Sequence, residues 1–216
     1  MALPDRHVDL GCGKFPRNPY ARGQVCGVDI RELSEKPNFD YRVANLAVDP
    51  IPFDDNSLGS VSAYDFIEHV PRILQAADGR NTVFPFMRLM NEIWRVLAPG
   101  GRFYALTPAY PNPEAFTDPT HVNIITDQTH TYFCGEDALG RMYGFCGNFR
   151  VVNARWVHRS DAYSAIPGSS ENNPPMKRFA RKLRSLSRWM RGRQASWRPA
   201  YFLWELEAVK PEEALR

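Results

Sequence analysis

At 216 residues and 24.7 kDa the chain has material for one α/β domain with an appendage, because roughly 100–200 residues usually build a single core. It is 44% hydrophobic and 24% charged, has no apolar run near the roughly 18 residues that span a bilayer, and opens on MALPDRHVDL without a signal-like stretch, which argues against a membrane span and Sec-dependent export. The net charge of +3 hides an asymmetry: nine basic residues and no acidic one lie between Asn172 and Trp204, which leaves the remainder at −6.

Four cysteines, Cys12, Cys26, Cys134 and Cys146, form no C-x-x-C pair and no Cys/His spacing. Neither a disulfide framework nor a metal site is therefore assigned, and a cytoplasmic, reducing setting is expected.

In chain order, His7–Leu10 reads as a short strand running into Gly11-Cys12-Gly13, and Gln24–Ile30 as a second strand ending in a carboxylate. Pro16 and Pro19 leave room for little more than a turn of helix between them. Tyr41–Leu46 and Ser60–Phe66 are the third and fourth strands, separated by the turn-rich segment 49–57. Val83, Met87, Met90, Trp94 and Leu97 then recur at helical spacing, with Asn81 or Thr82 placed to cap, Pro85 in the first turn and Pro99-Gly100-Gly101 as the stop. Arg102–Thr107 is the fifth strand, residues 108–135 are loop-like, and Phe149–Arg159 and Pro199–Lys210 are the last two strands. Alternating strands and helical or turn segments predict a mostly parallel sheet with ligands at the carboxyl ends of the strands.

Glycines just after a first strand let backbone approach a ligand, and Asp29, 18 positions after Gly11, stands where a carboxylate can accept ribose hydroxyls. A dinucleotide site asks for G-x-G-x-x-G, but Pro16 occupies the third glycine position, which argues against NAD. With this frame the chain resembles the class I S-adenosylmethionine-dependent methyltransferases. The resemblance is carried by Val8–Gly13, Val28-Asp29-Ile30, Pro52–Ser57, Phe66–Val70 and Glu92–Gly101, in the family's order over residues 7–108.

It implies a Rossmann-like α/β fold, a seven-stranded sheet with helices on both faces, in a single domain over 1–216. It also implies S-adenosylmethionine as cofactor: Gly11, Cys12 and Gly13 under its methionine part, Asp9 holding that loop and the ammonium, Asp29 with Ile30 at the ribose, and Asn45 with Leu46 beside the adenine. Asp65, at the end of the fourth strand, would face the methyl group. Asn45 departs from the family's usual acid, and the segment after the glycines lacks the usual full helix.

Methyl transfer is an in-line displacement at a sulfonium, so the protein must align the acceptor and, for an alcohol, remove its proton. The candidates are His69, Asp118, His121 and His130, and Asp118-Pro119-Thr120-His121 is the most suggestive cluster because it follows the fifth strand. His121 is the expected base with Asp118 or another carboxylate orienting it, while Asp65 positions the hydroxyl. Asp65 with His69 and His121 could also hold a divalent metal, as in some sugar methyltransferases that the chain resembles, but no ligand spacing supports it and none is assigned. Tyr110, Phe116, Tyr132 and Phe133 are candidates for the acceptor pocket.

Between about 160 and 198 a basic helical insertion is expected before the last strand. Met176, Phe179, Leu183, Leu186 and Met190 form an apolar stripe, and lysines and arginines take the other faces. The arm Lys177–Arg198, with Trp189 and Trp197, suits an anionic substrate, RNA phosphates, an anionic membrane face or an oligomer contact. The reading that follows is O-methylation of a small molecule or glycan, of the bacterial surface-polysaccharide or natural-product type. The alternatives are an RNA methyltransferase using the arm, a carboxylate methyltransferase acting on a peptide or small acid, and a non-catalytic methyltransferase-like subunit.

Overall fold

The computed structural model describes residues 2–164 and 199–211. Its strands are β1 (Arg6–Leu10), β2 (Gln24–Asp29), β3 (Asp40–Val43), β4 (Leu58–Tyr64), β5 (Leu74–Gln75), β6 (Thr82–Val83), β7 (Leu97–Pro108), β8 (Phe149–Val157) and β9 (Tyr201–Ala208). Its α-helices are α1 (Pro85–Val96) and the single turn α2 (Glu114–Thr117). Seven strands form one sheet in the order β3-β2-β1-β4-β7-β9-β8, while β5 and β6 make a separate two-stranded ribbon. The first five are mutually parallel, and β9 runs antiparallel to both β7 and β8. The strand order reverses between β1 and β4, and in open α/β sheets ligands bind beyond the carboxyl ends of the strands at such a point.

The two faces of the sheet are chemically unlike. Val8, Leu10, Val61, Ala63, Phe103 and Ala105 point to an apolar face that shares one core with Phe86, Leu89, Met90, Ile93 and Val96 of α1. Their alternate neighbours His7, Asp9, Ser60 and Ser62 are equally buried on the other side. There the His7 ring bridges the hydroxyls of Ser60 (2.8 Å) and Ser62 (2.9 Å), and Ser62 donates to Asp9 Oδ1 at 2.6 Å. Burial drives the His7 pKa down to about 3, so the ring is neutral. This face is covered by irregular chain: Tyr20 and Tyr163 both donate to Glu205, and the Arg17 guanidinium lies over the Tyr64 ring. Pro16 and Pro19 keep the covering segment non-helical, as expected from the sequence. Among the described residues α1 is the one α-helix longer than a single turn.

Several boundaries move. The buried stripe of α1 is Phe86, Leu89, Met90, Ile93 and Val96, one position N-terminal of the expected set, because Trp94 lies at the rim with its indole N–H on the Val209 carbonyl and Lys210 over its ring. Neither Asn81 nor Thr82 caps the helix: Phe84 is the cap position, Pro85 starts the helix, and the Phe86 N–H finds the Pro71 carbonyl at 3.2 Å. Pro99-Gly100-Gly101 falls inside β7 as an irregularity where the register to β4 shifts, with Gly100 at φ +77°. β4 ends at Tyr64, two residues early, because Asp65 turns to φ +48°. The helix expected at 174–190 and the arm Lys177–Arg198 lie outside the described residues.

Candidate active site

At the end of β1 the chain turns on two left-handed glycines, Gly11 (φ +67°) and Gly13 (φ +57°). The Gly11 and Cys12 N–H groups both donate to the Val28 carbonyl, tying the turn to β2. A Cβ on Gly11 would stand 2.6 Å from Cδ2 of Phe66, so the ring that follows β4 rests directly on the turn. Asp29, almost fully buried, accepts the Gly13 N–H at 2.8 Å and a two-pronged hydrogen bond from Arg31 Nε (2.9 Å) and Nη2 (3.1 Å). Burial pushes the carboxyl up, but the Arg31 side chain and the Arg31 and Gly13 N–H groups outweigh it, so Asp29 stays below its ordinary value and ionised. A carboxylate that accepts such a fork has the acceptor geometry for a vicinal diol, with the exposed Arg31 head displaced.

The other residues expected at the cofactor are distributed around this turn. Asp9 is buried beneath it and accepts the Arg17 N–H at 2.9 Å, which fixes the segment after the glycines. Burial raises its pKa to about 6, against the pull of Arg17 and Ser62. Cys12 is buried under the turn, its thiol on the Gly13 carbonyl, and Ile30 is exposed beside Asp29. Asn45 turns its side-chain oxygen onto the Ala47 N–H, and Leu46 is buried in the apolar core. Asp65 has Arg159 Nη2 2.7 Å from its Oδ2, and burial lifts its pKa against that arginine.

The second cluster lies three residues past Phe66. The chain makes a 3-10 turn over Ile67–His69, and that turn is laced to the 121–123 loop. Val122 and Asn123 N–H groups donate to the Glu68 carbonyl at 3.0 and 2.9 Å, and the Asn123 amide donates to the Ile67 carbonyl at 3.0 Å. Arg72 in turn donates to Asn123 Oδ1 at 2.6 Å. These bonds bring the His69 and His121 rings to 4.7 Å between centroids, edge to face.

Their tautomers follow from their partners. His121 Nδ1 faces the Ala115 carbonyl at 3.1 Å, which only accepts, so Nδ1 carries the proton. The Thr120 hydroxyl donates to Asp118 Oδ1 at 2.7 Å and therefore accepts from His69 Nδ1 at 2.9 Å. The hydrogen bonds from the Thr120 hydroxyl and N–H hold the Asp118 carboxyl below its usual range. In the neutral ring each histidine then has its lone pair on Nε2. Beside them Glu68 is buried, with one carboxylate oxygen on the Thr107 hydroxyl at 2.9 Å and the other, Oε1, without a hydrogen-bond partner among the described residues. Burial pushes its pKa up to about 8.

His69, Asp118 and His121 are therefore brought together, although Asp118 reaches His69 through Thr120 and does not orient His121. His130 stands apart, buried against Phe202 and Trp204. Phe133 is wholly buried against Phe86 and Phe145, while Tyr110 and Phe116 pair edge to face at the surface and Tyr132 is exposed. Sequence reasoning missed Glu68, Thr120 and Arg31. Thr120 had a signal, since Asp-Pro-Thr favours a side-chain turn onto the residue two ahead. Glu68 sat unread inside the quoted Phe66–Val70 stretch.

A glycine turn and a carboxylate at the end of the next strand stand at the reversal point of a 3-2-1-4 parallel sheet closed by an antiparallel strand, a Rossmann-like arrangement. Residues 8–105, a little under half of the chain, match the family model described as "Methyltransferase domain". No curated protein matches the sequence. Among solved structures, the chain is similar to a SAM-dependent methyltransferase from Archaeoglobus fulgidus (TM-score 0.56, 16% identity, 95% of this chain and 86% of that one). It is similar also to a chain of the complex formed by the Haloferax volcanii Trm112 methyltransferase activator (0.53, 18%, 96% and 84%) and to the [4+2]-cyclase SpnF (0.52, 16%, 98% and 78%). At these identities the likeness is one of fold. No helix among the described residues is long and apolar enough to cross a membrane.

Proposed function

We propose that the protein is an S-adenosylmethionine-dependent O-methyltransferase acting on a small molecule or glycan. The observation that carries it is the Gly11–Gly13 turn with Asp29, and the paired His69 and His121 rings joined to it through Phe66, whose ring rests on Gly11 and whose carbonyl receives the His69 N–H. The cofactor supplies an electrophilic methyl group on a sulfonium. The chain's own part is to seat it and to prepare the acceptor. Asp29 takes the ribose hydroxyls where Arg31 now donates, the glycines let backbone approach the methionine part, and Asp9 holds the turn through Arg17. At the histidine pair an acceptor hydroxyl must lose its proton, and the two imidazoles, each fixed through Nδ1, offer their Nε2 lone pairs for that task. A carboxylate acceptor would need neither. The cytoplasm is the proposed compartment, because the cysteine spacing implies no disulfide framework.

Transfer of label from radiolabelled S-adenosylmethionine into a fractionated bacterial extract tests the reading. Label is expected in the small-molecule or glycan fraction, and His121→Ala should lower the rate roughly 10²-fold or more. Ribonuclease-sensitive label would favour an RNA acceptor, and a His121→Ala rate equal to wild type would remove proton abstraction from the account.

A further inference from the structure

We propose that Glu68, His69 and His121 form a binding site for a divalent first-row transition ion, zinc(II) or a close analogue, beside the loop that follows β7. One carboxylate oxygen and one ring nitrogen from each histidine lie within 4.8 Å of one another. Ligand bonds of about 2.0–2.2 Å in tetrahedral geometry would close the longest such edge after a contraction of about 1.4 Å.

Three features set this trio apart from an incidental cluster. Each histidine already spends Nδ1 as a donor, His121 on the Ala115 carbonyl and His69 on the Thr120–Asp118 pair. That leaves Nε2 as the ligand atom and supplies the outer hydrogen bond that metal-bound imidazoles ordinarily make. Glu68 Oε1 is buried with no hydrogen-bond partner among the described residues, while Oε2 is held by Thr107, so the carboxylate is fixed at one oxygen and unsatisfied at the other. The frame is braced, since the Glu68 carbonyl receives two N–H groups from the loop that carries His121. Asp65, the acid considered alongside the two histidines, is engaged by Arg159.

Two imidazoles and a carboxylate suit zinc-like ions better than magnesium, and three protein ligands leave a position open for an acceptor oxygen. In this part the proposal rests on the methyl-transfer reading. With both Nε2 lone pairs on the ion the imidazoles no longer take the acceptor proton as bases; coordination instead lowers the pKa of the hydroxyl. The proton of an acceptor alcohol would pass to water, its oxygen would form the new bond to the methyl carbon, and the sulfonium would leave as the neutral thioether.

Cobalt(II) titrated into the full chain tests the site by its visible absorption, in a Cys146→Ser background because Cys146 is an exposed free thiol. One cobalt ion per chain is expected, displaced by zinc. Glu68→Gln and His121→Ala should abolish the bands, and Asp118→Asn, which leaves all three ligands in place, should weaken binding roughly 10- to 100-fold. Circular dichroism checks that each variant folds. No bands in the wild type, or bands unchanged in both ligand variants, would overturn the site. Calorimetry with S-adenosylhomocysteine on the same samples separates the two readings: cofactor binding without cobalt overturns the metal site alone, and cobalt binding without cofactor overturns methyl transfer alone.

Discussion

At the carboxyl ends of β1 and β2 the site is made of backbone: two left-handed glycines, a carbonyl on β2 that collects two N–H groups, and one carboxylate. Across Phe66 it is made of side chains from two segments about 51 residues apart, held by hydrogen bonds between a 3-10 turn and a loop. A backbone site is specified by residue types at short spacing and tolerates little variation. A side-chain site depends on tertiary contacts, and its chemistry can change by single substitutions. A fold shared with structures named as a methyltransferase and as a [4+2]-cyclase is consistent with that division.

Three perturbations sharpen the contrast. The largest effect is expected at the backbone end: Gly11→Ala places a Cβ against Phe66 at φ +67° and should destabilise the fold by about 2–4 kcal/mol, read by urea unfolding. A loss under about 0.5 kcal/mol would show that the turn is not rigid. Next is the polar layer beneath the turn. His7 titrates near 3 in the folded chain, against 6.5 when free, so the unfolded state binds the extra proton between those values. Stability from this residue is complete above pH 6.5 and is lost on acidification towards pH 3, by about 1.4 kcal/mol per pH unit. Unfolding of wild type and His7→Gln at pH 7 and pH 5 isolates it from Asp9 and the other groups, and parallel pH dependence would contradict the assignment. The smallest effect is at Arg31, whose exposed fork would have to leave Asp29 for a ribose to bind there as proposed. Arg31→Ala should tighten S-adenosylhomocysteine binding about threefold, a change within the few tenths to 1 kcal/mol of exposed ion pairs. Weaker binding would make Arg31 part of the cofactor site.

The same contrast explains what could be read in advance. The glycine turn, Asp29 and all seven sheet strands were legible because spacing and period 2 act locally. The face of α1 was displaced by one position because Trp94 is apolar by type but satisfies its N–H at the rim. Glu68 was unreadable as a functional group, since its significance lies in a buried oxygen without a partner, and that depends on Thr107 from β7 and on the folded loop. The link from Asp118 to His69, in place of His121, likewise required the 67–69 turn to meet the loop.

The central claim is that two separable ends serve one reaction, and calorimetric titration with S-adenosylhomocysteine of wild type, Asp29→Ala and His121→Ala tests it most directly. Binding should weaken roughly 10- to 100-fold in Asp29→Ala, as expected for loss of charge-assisted hydrogen bonds, and stay at the wild-type value in His121→Ala. Absence of binding in the wild type, or equal affinity in wild type and Asp29→Ala, would contradict the account.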